Sequence, residues 1–124
     1  MKALKLLGYI WAAPCTLVGF VLSLFMVPVG WPLWSRGTLV IRANRILPPM
    51  AVAQTWGWLV IYRPGAEVSA WRHEQAHVRQ YMILGPLFFP AYGLASFVSW
   101  MKGTGWYKGN WFEVDARRRA RWGT

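Results

Sequence analysis

An α+β fold organised around one long apolar helix is predicted by three features of this sequence. Residues 6 to 34 carry no charged side chain, β-branched runs follow between residues 36 and 63, and the remainder reads as helices punctuated by Gly and Pro. At 124 residues the chain has room for a single domain. Of these residues 56% are hydrophobic and ten are Trp, while Lys and Arg number 14 against four acids, giving a net charge of +10. A chain so apolar collapses or enters a membrane, which excludes disorder. The lone Cys15 excludes an internal disulfide scaffold.

Residues 8–30 are long enough to cross a hydrocarbon core of about 30 Å and are expected to form a transmembrane helix. Lys2 and Lys5 resemble the start of a signal peptide, but the apolar run is too long and no small-x-small cleavage site follows. Pro14 and Pro28 are expected to kink or end the helix.

The segment 36–63 is expected to form a small β-sheet or hairpin of two or three strands, carried by residues 38–41 and 58–62 and separated by Pro48-Pro49 and Gly57. Ser69 is the expected N-cap of a helix over 69–84, which Gly85-Pro86 stops.

A second uncharged stretch, residues 80–101, would span about 33 Å as one helix. Pro86, Pro90 and Gly93 argue against continuity. A full crossing would also leave residues 102–109 to return about 30 Å at about 3.3 Å each, their whole extended reach. Residues 86–101 are therefore expected to be a broken, re-entrant or interfacial segment. Small residues recur every fourth position, at Cys15, Gly19 and Ser23 and at Ala91, Ala95 and Ser99. They predict that the two apolar helices pack on each other or across a homo-oligomer. A basic helix is expected over 110–122.

Chemistry concentrates at His73-Glu74-Gln75-Ala76-His77, an H-E-x-x-H sequence predicted to lie on a helix. Histidines four apart project from one helical face, so both imidazoles can meet one Zn²⁺ at about 2.0–2.1 Å, with Glu74 beside a bound water. The chain has no other histidine. A catalytic zinc needs a third protein ligand, for which Glu67, Glu113 and Asp115 are the candidates. Glu113 is preferred, because it shares a helix face with Ala116 and Ala120, small enough to bring that face close to His73, Ala76, His77 and Gln80. The competing role for Glu113 is a capping box with the Asn110 amide.

H-E-x-x-H followed by a glutamate on a later helix resembles the gluzincin clan of zinc metallopeptidases, and the neighbouring apolar helix is similar to those of its membrane-bound members. The resemblance covers roughly residues 69 to 120. It implies His73, His77 and Glu113 as metal ligands and Glu74 as general base. Many members carry an aspartate four residues after the third ligand, where this chain has Arg117. Most are also much larger, so the chain looks like a minimal version.

These residues lead to the expectation of an integral-membrane metallopeptidase in which zinc activates water for attack on a peptide bond and Glu74 moves the proton. Tyr107, Tyr81 and Asn110 are candidate transition-state stabilisers, Gln80 and Asp115 candidate supports for the ligands, and strand 58–62 a candidate edge for an extended peptide. Expected partners are a peptide or protein substrate and anionic lipid headgroups. No nucleic-acid signature is present, and the basic run Arg117-Arg118-Arg119-Ala120-Arg121 reads as a solvated or headgroup-facing flank. With two cations before the apolar helix and twelve after it, the positive-inside rule places the site on the cytoplasmic face of a cytoplasmic membrane. The alternatives are a non-catalytic membrane adaptor with a structural zinc site and an arginine-driven lipid- or phosphate-binding protein.

Overall fold

The computed structural model describes residues 2–46 and 52–122, apart from the side chains at positions 2, 67–69, 121 and 122. The expected pair Pro48-Pro49 lies outside the described residues. The architecture is mixed α+β, with α1 (Lys2–Ser23), strands β1 (Leu33–Ser35), β2 (Thr38–Arg42), β3 (Ala53–Trp56) and β4 (Leu59–Tyr62), then α2 (Glu67–Leu84), a 3-10 turn (Gly85–Leu87), α3 (Phe88–Met101) and α4 (Trp111–Trp122).

Helix α1 ends seven residues before the expected Gly30. Its last turn tightens through bonds from Leu24 N to Val21 O, Phe25 N to Leu22 O and Met26 N to Ser23 O. Met26 then enters a core cluster with Ile41, Ala43 and Ile46. Beyond it, Val29 N donates to Arg42 O and Asn44 N to Val27 O, so residues 27–29 run beside the end of β2. Burial of Met26 and this pairing outweigh another turn of helix, even with Val27 at φ 56°. Pro14 sits inside α1 without ending it.

The sheet has four strands in the order β1-β2-β4-β3. β1 and β2 form an antiparallel hairpin closed by Arg36-Gly37, both at positive φ, the signature of a type I′ turn. β2 and β4 run parallel in the register Leu39↔Leu59, and β3 pairs antiparallel with β4 through Trp56↔Leu59. Strand 58–62 is therefore central rather than an edge. Hydrogen-bonded on both sides, it cannot add a peptide, and β3 is the edge strand on that side. Every residue of β4 is buried, with Leu59 and Ile61 facing the Met26 cluster and Val60 and Tyr62 facing α2 through Ala70 and Val78.

Helix α2 starts at Glu67, two residues before the predicted cap Ser69, with Ala66 at its N-cap position and no side-chain cap there. It stops at Gly85, whose φ of 56° and ψ of −138° are open to glycine alone. The break falls where predicted. Pro90, in the first turn of α3, and Gly93 do not interrupt that helix.

α1 does not stand apart from the sheet. Trp58 N donates to Thr16 Oγ1, Trp58 Nε1 to Tyr9 O, and Tyr9 Oη to Gly37 O. A Cβ built on Gly19 would fall 2.2 Å from Trp56 Cβ, and one on Gly85 2.4 Å from the Trp11 ring. The two small-residue rows meet at one core cluster, which holds Cys15 together with Ala91 and Ala95, but their main neighbours differ. The α1 row lies toward the sheet and α2, while α3 packs on α4, with Asn110 Nδ2 donating to Ser96 Oγ and to Tyr92 O.

Two helical stretches, residues 3–23 and 70–101, are long and apolar enough to cross a membrane. Gly85 divides the second, and α3 alone reaches only about 21 Å at about 1.5 Å per residue.

Candidate metal centre

The His73, His77 and Glu113 side chains meet where α2 packs against α4, and the three could hold a metal ion. Helical spacing brings His73 and His77 to one face of α2, with ring centroids 4.9 Å apart. The Phe112 amide, capped 2.8 Å from Asn110 Oδ1, opens α4, and Glu113 occupies its first turn. Glu113 does not close a capping box. The Asn110 amide donates to Tyr107 O, and Glu113 Oε1 lies 3.1 Å from Nε2 of both His73 and His77.

Those two nitrogens are 3.2 Å from each other, so the three atoms form a nearly equilateral triangle. Ligands about 2.0–2.1 Å from one tetrahedral ion lie about 3.3 Å apart, so the triangle matches one face of such a tetrahedron to about 0.2 Å.

The state of His77 sharpens the fit. Gln80 donates through Nε2 to Phe112 O and to Asp115 Oδ2, both at 3.0 Å. Its Oε1 must therefore face His77 Nδ1, 2.9 Å away, and accept a proton from it. In the neutral ring this leaves a lone pair on Nε2, directed at a carboxylate oxygen. Two electron-pair donors in contact require a cation between them: without an ion this is a second proton on the ring, donated to Glu113 Oε1, and a metal ion can take its place, since a ligand histidine is commonly held by such an outer hydrogen bond.

The second oxygen of Glu113 accepts a 2.7 Å bond from Tyr92 Oη. Burial alone would raise the Glu113 carboxyl, but hydrogen bonds from His73, His77 and Tyr92 outweigh it and hold the group well below the usual carboxylate range. Asp115 is likewise held low. Burial opposes this, while hydrogen bonds from Gln80 and Arg119 and the charges of Arg119 and Arg118 prevail.

Glu74 is buried and accepts a 2.7 Å bond at Oε1 from Thr55 Oγ1 on edge strand β3. Beside His77, a cavity of about 220 Å³ is walled by Thr55, Trp56, Tyr81, Phe88 and Phe89.

The other predicted residues separate by what they touch. Gln80 supports His77 directly. Asp115 acts one step further out, through Gln80, and is not part of the metal-ligating trio. Tyr107 is exposed, with its hydroxyl pushed up to about 12 by partial burial and then by the Glu113 and Glu74 carboxylates. Tyr81 lines the cavity. Asn110 is completely buried with its amide engaged at both ends, which makes it a helix cap and α3 tether rather than a donor to substrate. The Glu67 side chain lies outside the described residues, and Arg117 donates to Lys108 O.

Sequence reasoning missed Thr55 and Tyr92. A threonine between Gln54 and Trp56 and a phenol inside an uncharged helix were the available signals.

Compared with protein-family models, curated proteins and solved structures, the chain matches none.

Proposed function

We propose that this protein is a membrane-embedded zinc metallopeptidase of gluzincin-like design. The observation that carries this reading is the triangle of two imidazole nitrogens and one carboxylate oxygen with edges of 3.1, 3.1 and 3.2 Å, built from residues up to 40 positions apart. His73, His77 and Glu113 would hold the zinc. Two nitrogens and one oxygen are a donor set suited to that ion. Bound there, zinc supplies a Lewis acid that polarises a peptide carbonyl and lowers the pKa of water.

The protein residues divide the remaining work. Gln80 holds His77 with Nε2 free, and Tyr92 fixes the far oxygen of Glu113. Glu74, oriented by Thr55, takes a proton from water and delivers it to the leaving amine. Tyr107 stands at the exposed side of the two carboxylates as a hydrogen-bond donor to developing negative charge. The aromatic cavity beside His77 accepts an apolar side chain, and β3 offers a strand edge to an extended peptide.

Support for the membrane setting comes from the surface. Leu7, Ile10, Leu17 and Phe25 in and after α1, and Leu94, Phe97, Trp100 and Met101 on α3, are all exposed. Outward apolar area on this scale supports a surface that lies against lipid. The excess of cations, a net charge of +10, supports a cytoplasmic face for the site.

The test is Glu74→Gln in the purified full chain, measuring zinc by elemental analysis and cleavage of a quenched-fluorescence peptide mixture. Wild type should carry one zinc per chain and cleave. The variant should keep the zinc and lose activity by about 10² to 10⁴ fold. Zinc without cleavage in wild type would turn the reading into an adaptor with a structural ion, and absence of stoichiometric metal would end both.

A further inference from the structure

A second site lies away from the metal centre, where the start of α1, the β1–β2 turn and the outer face of α2 enclose an open cleft of about 620 Å³. Lys5, Arg36 and Arg79 line it, one cation from each of three segments distant in sequence. Among the described residues none of the three has a carboxylate partner. The three described acids are engaged elsewhere, with Glu74 accepting from Thr55, Glu113 at the histidines and Asp115 with Arg118 and Arg119. Three like charges gathered around one cleft repel one another unless an anion joins them.

The cleft is built rather than incidental. Thr38 and Gln75, both in its lining, hydrogen-bond to each other, and Tyr9 holds the turn by donating to Gly37 O at 2.6 Å. The Arg36 guanidinium lies 5.5 Å from the Trp71 ring centroid, which limits its orientations. Gly8 lets α1 lie close against α2 at the floor, since a Cβ there would fall 3.0 Å from Met82.

The walls decide what kind of anion fits. Leu4 and Ile83 line the same cleft and are 64% and 65% exposed, so cations and uncovered apolar side chains share one opening. Inorganic phosphate satisfies only the cations. Lys5 sits in the first turns of α1, whose exposed apolar residues lie against lipid in the reading above. We propose that this cleft binds one anionic phospholipid, its phosphodiester headgroup between Lys5, Arg36 and Arg79 and an acyl chain along Leu4 and Ile83. The site is independent of the metal centre and does not require peptidase activity.

The experiment places the full chain in nanodiscs of equimolar phosphatidylcholine and phosphatidylglycerol and counts retained lipids by native mass spectrometry. Wild type should retain phosphatidylglycerol in preference to phosphatidylcholine, one per chain. Arg36→Gln with Arg79→Gln should lower that preference about tenfold or more, since each near-surface cation contributes substantially to anionic lipid binding. The charge-preserving pair Arg36→Lys with Arg79→Lys should keep most of it, and the thermal melt followed by circular dichroism should stay unchanged in both, showing that the fold persists. Loss of the preference on Arg117→Gln with Arg118→Gln would overturn the proposal in favour of diffuse attraction. Competition by millimolar inorganic phosphate would overturn it in favour of a simple phosphate site, and an unchanged preference in the glutamine pair would overturn it outright.

Discussion

The side-chain oxygen of Gln80 lies 2.9 Å from Nδ1 of His77, one turn earlier on the same helix. Since the Gln80 nitrogen is committed to Phe112 O and Asp115 Oδ2, this contact selects the imidazole tautomer and ties α2 to α4 through the same residue. Gln80→Leu should therefore weaken zinc binding about 10 to 100 fold, measured by competition with a chromogenic chelator. Equal affinity in the variant would show that Gln80 supports packing alone.

Thr55 reaches Glu74 from another element and touches none of the three metal-ligating atoms. Thr55→Val should lower kcat for peptide cleavage about tenfold with KM nearly unchanged and zinc stoichiometry intact, while Thr55→Ser restores the rate. Loss of zinc in the valine variant would assign Thr55 to the architecture instead.

Acid should loosen the α2–α4 contact before it loosens the sheet. Glu113 and Asp115 both have depressed pKa values in the folded chain, so the unfolded chain binds more protons once the pH drops to the ordinary carboxylate range, about 4. Their stabilisation is complete above that range and is lost as pH falls through the depressed folded values. Denaturation at a series of pH values, with chelator present throughout so that metal release does not contribute, should show stability falling below about pH 4.5. Asp115→Asn should flatten that fall, and identical acid limbs would remove Asp115 from the account.

Gly85 combines a φ of 56° with the Trp11 ring where a side chain would begin. Gly85→Ala should destabilise the protein by about 2–4 kcal/mol, from backbone strain plus displacement of the ring. Adding Trp11→Ala should recover only the steric part. Full recovery in a thermal melt would mean that the backbone conformation there costs nothing.

Whatever depends on short-range spacing could be read from the order of residues. Histidines four apart share a face on any helix, Asn110 heads the last helix, and Gly85-Pro86 breaks the second apolar run. The charge-free stretches at residues 6–34 and 80–101 contain much of the exposed apolar surface, from Leu7 to Trp34 and from Ile83 to Met101. Which elements lie side by side emerged with the packed fold. It ended α1 at Ser23 because Met26 is buried against Ile41, and it made strand 59–62 central because β2 and β3 both bond to it. It also brought Thr55 and Tyr92 to the acids of a motif they do not belong to. Hydrophobic periodicity specifies which face of each element is buried, whereas the partner of that face is selected by contacts far apart in the chain, which no local spacing encodes.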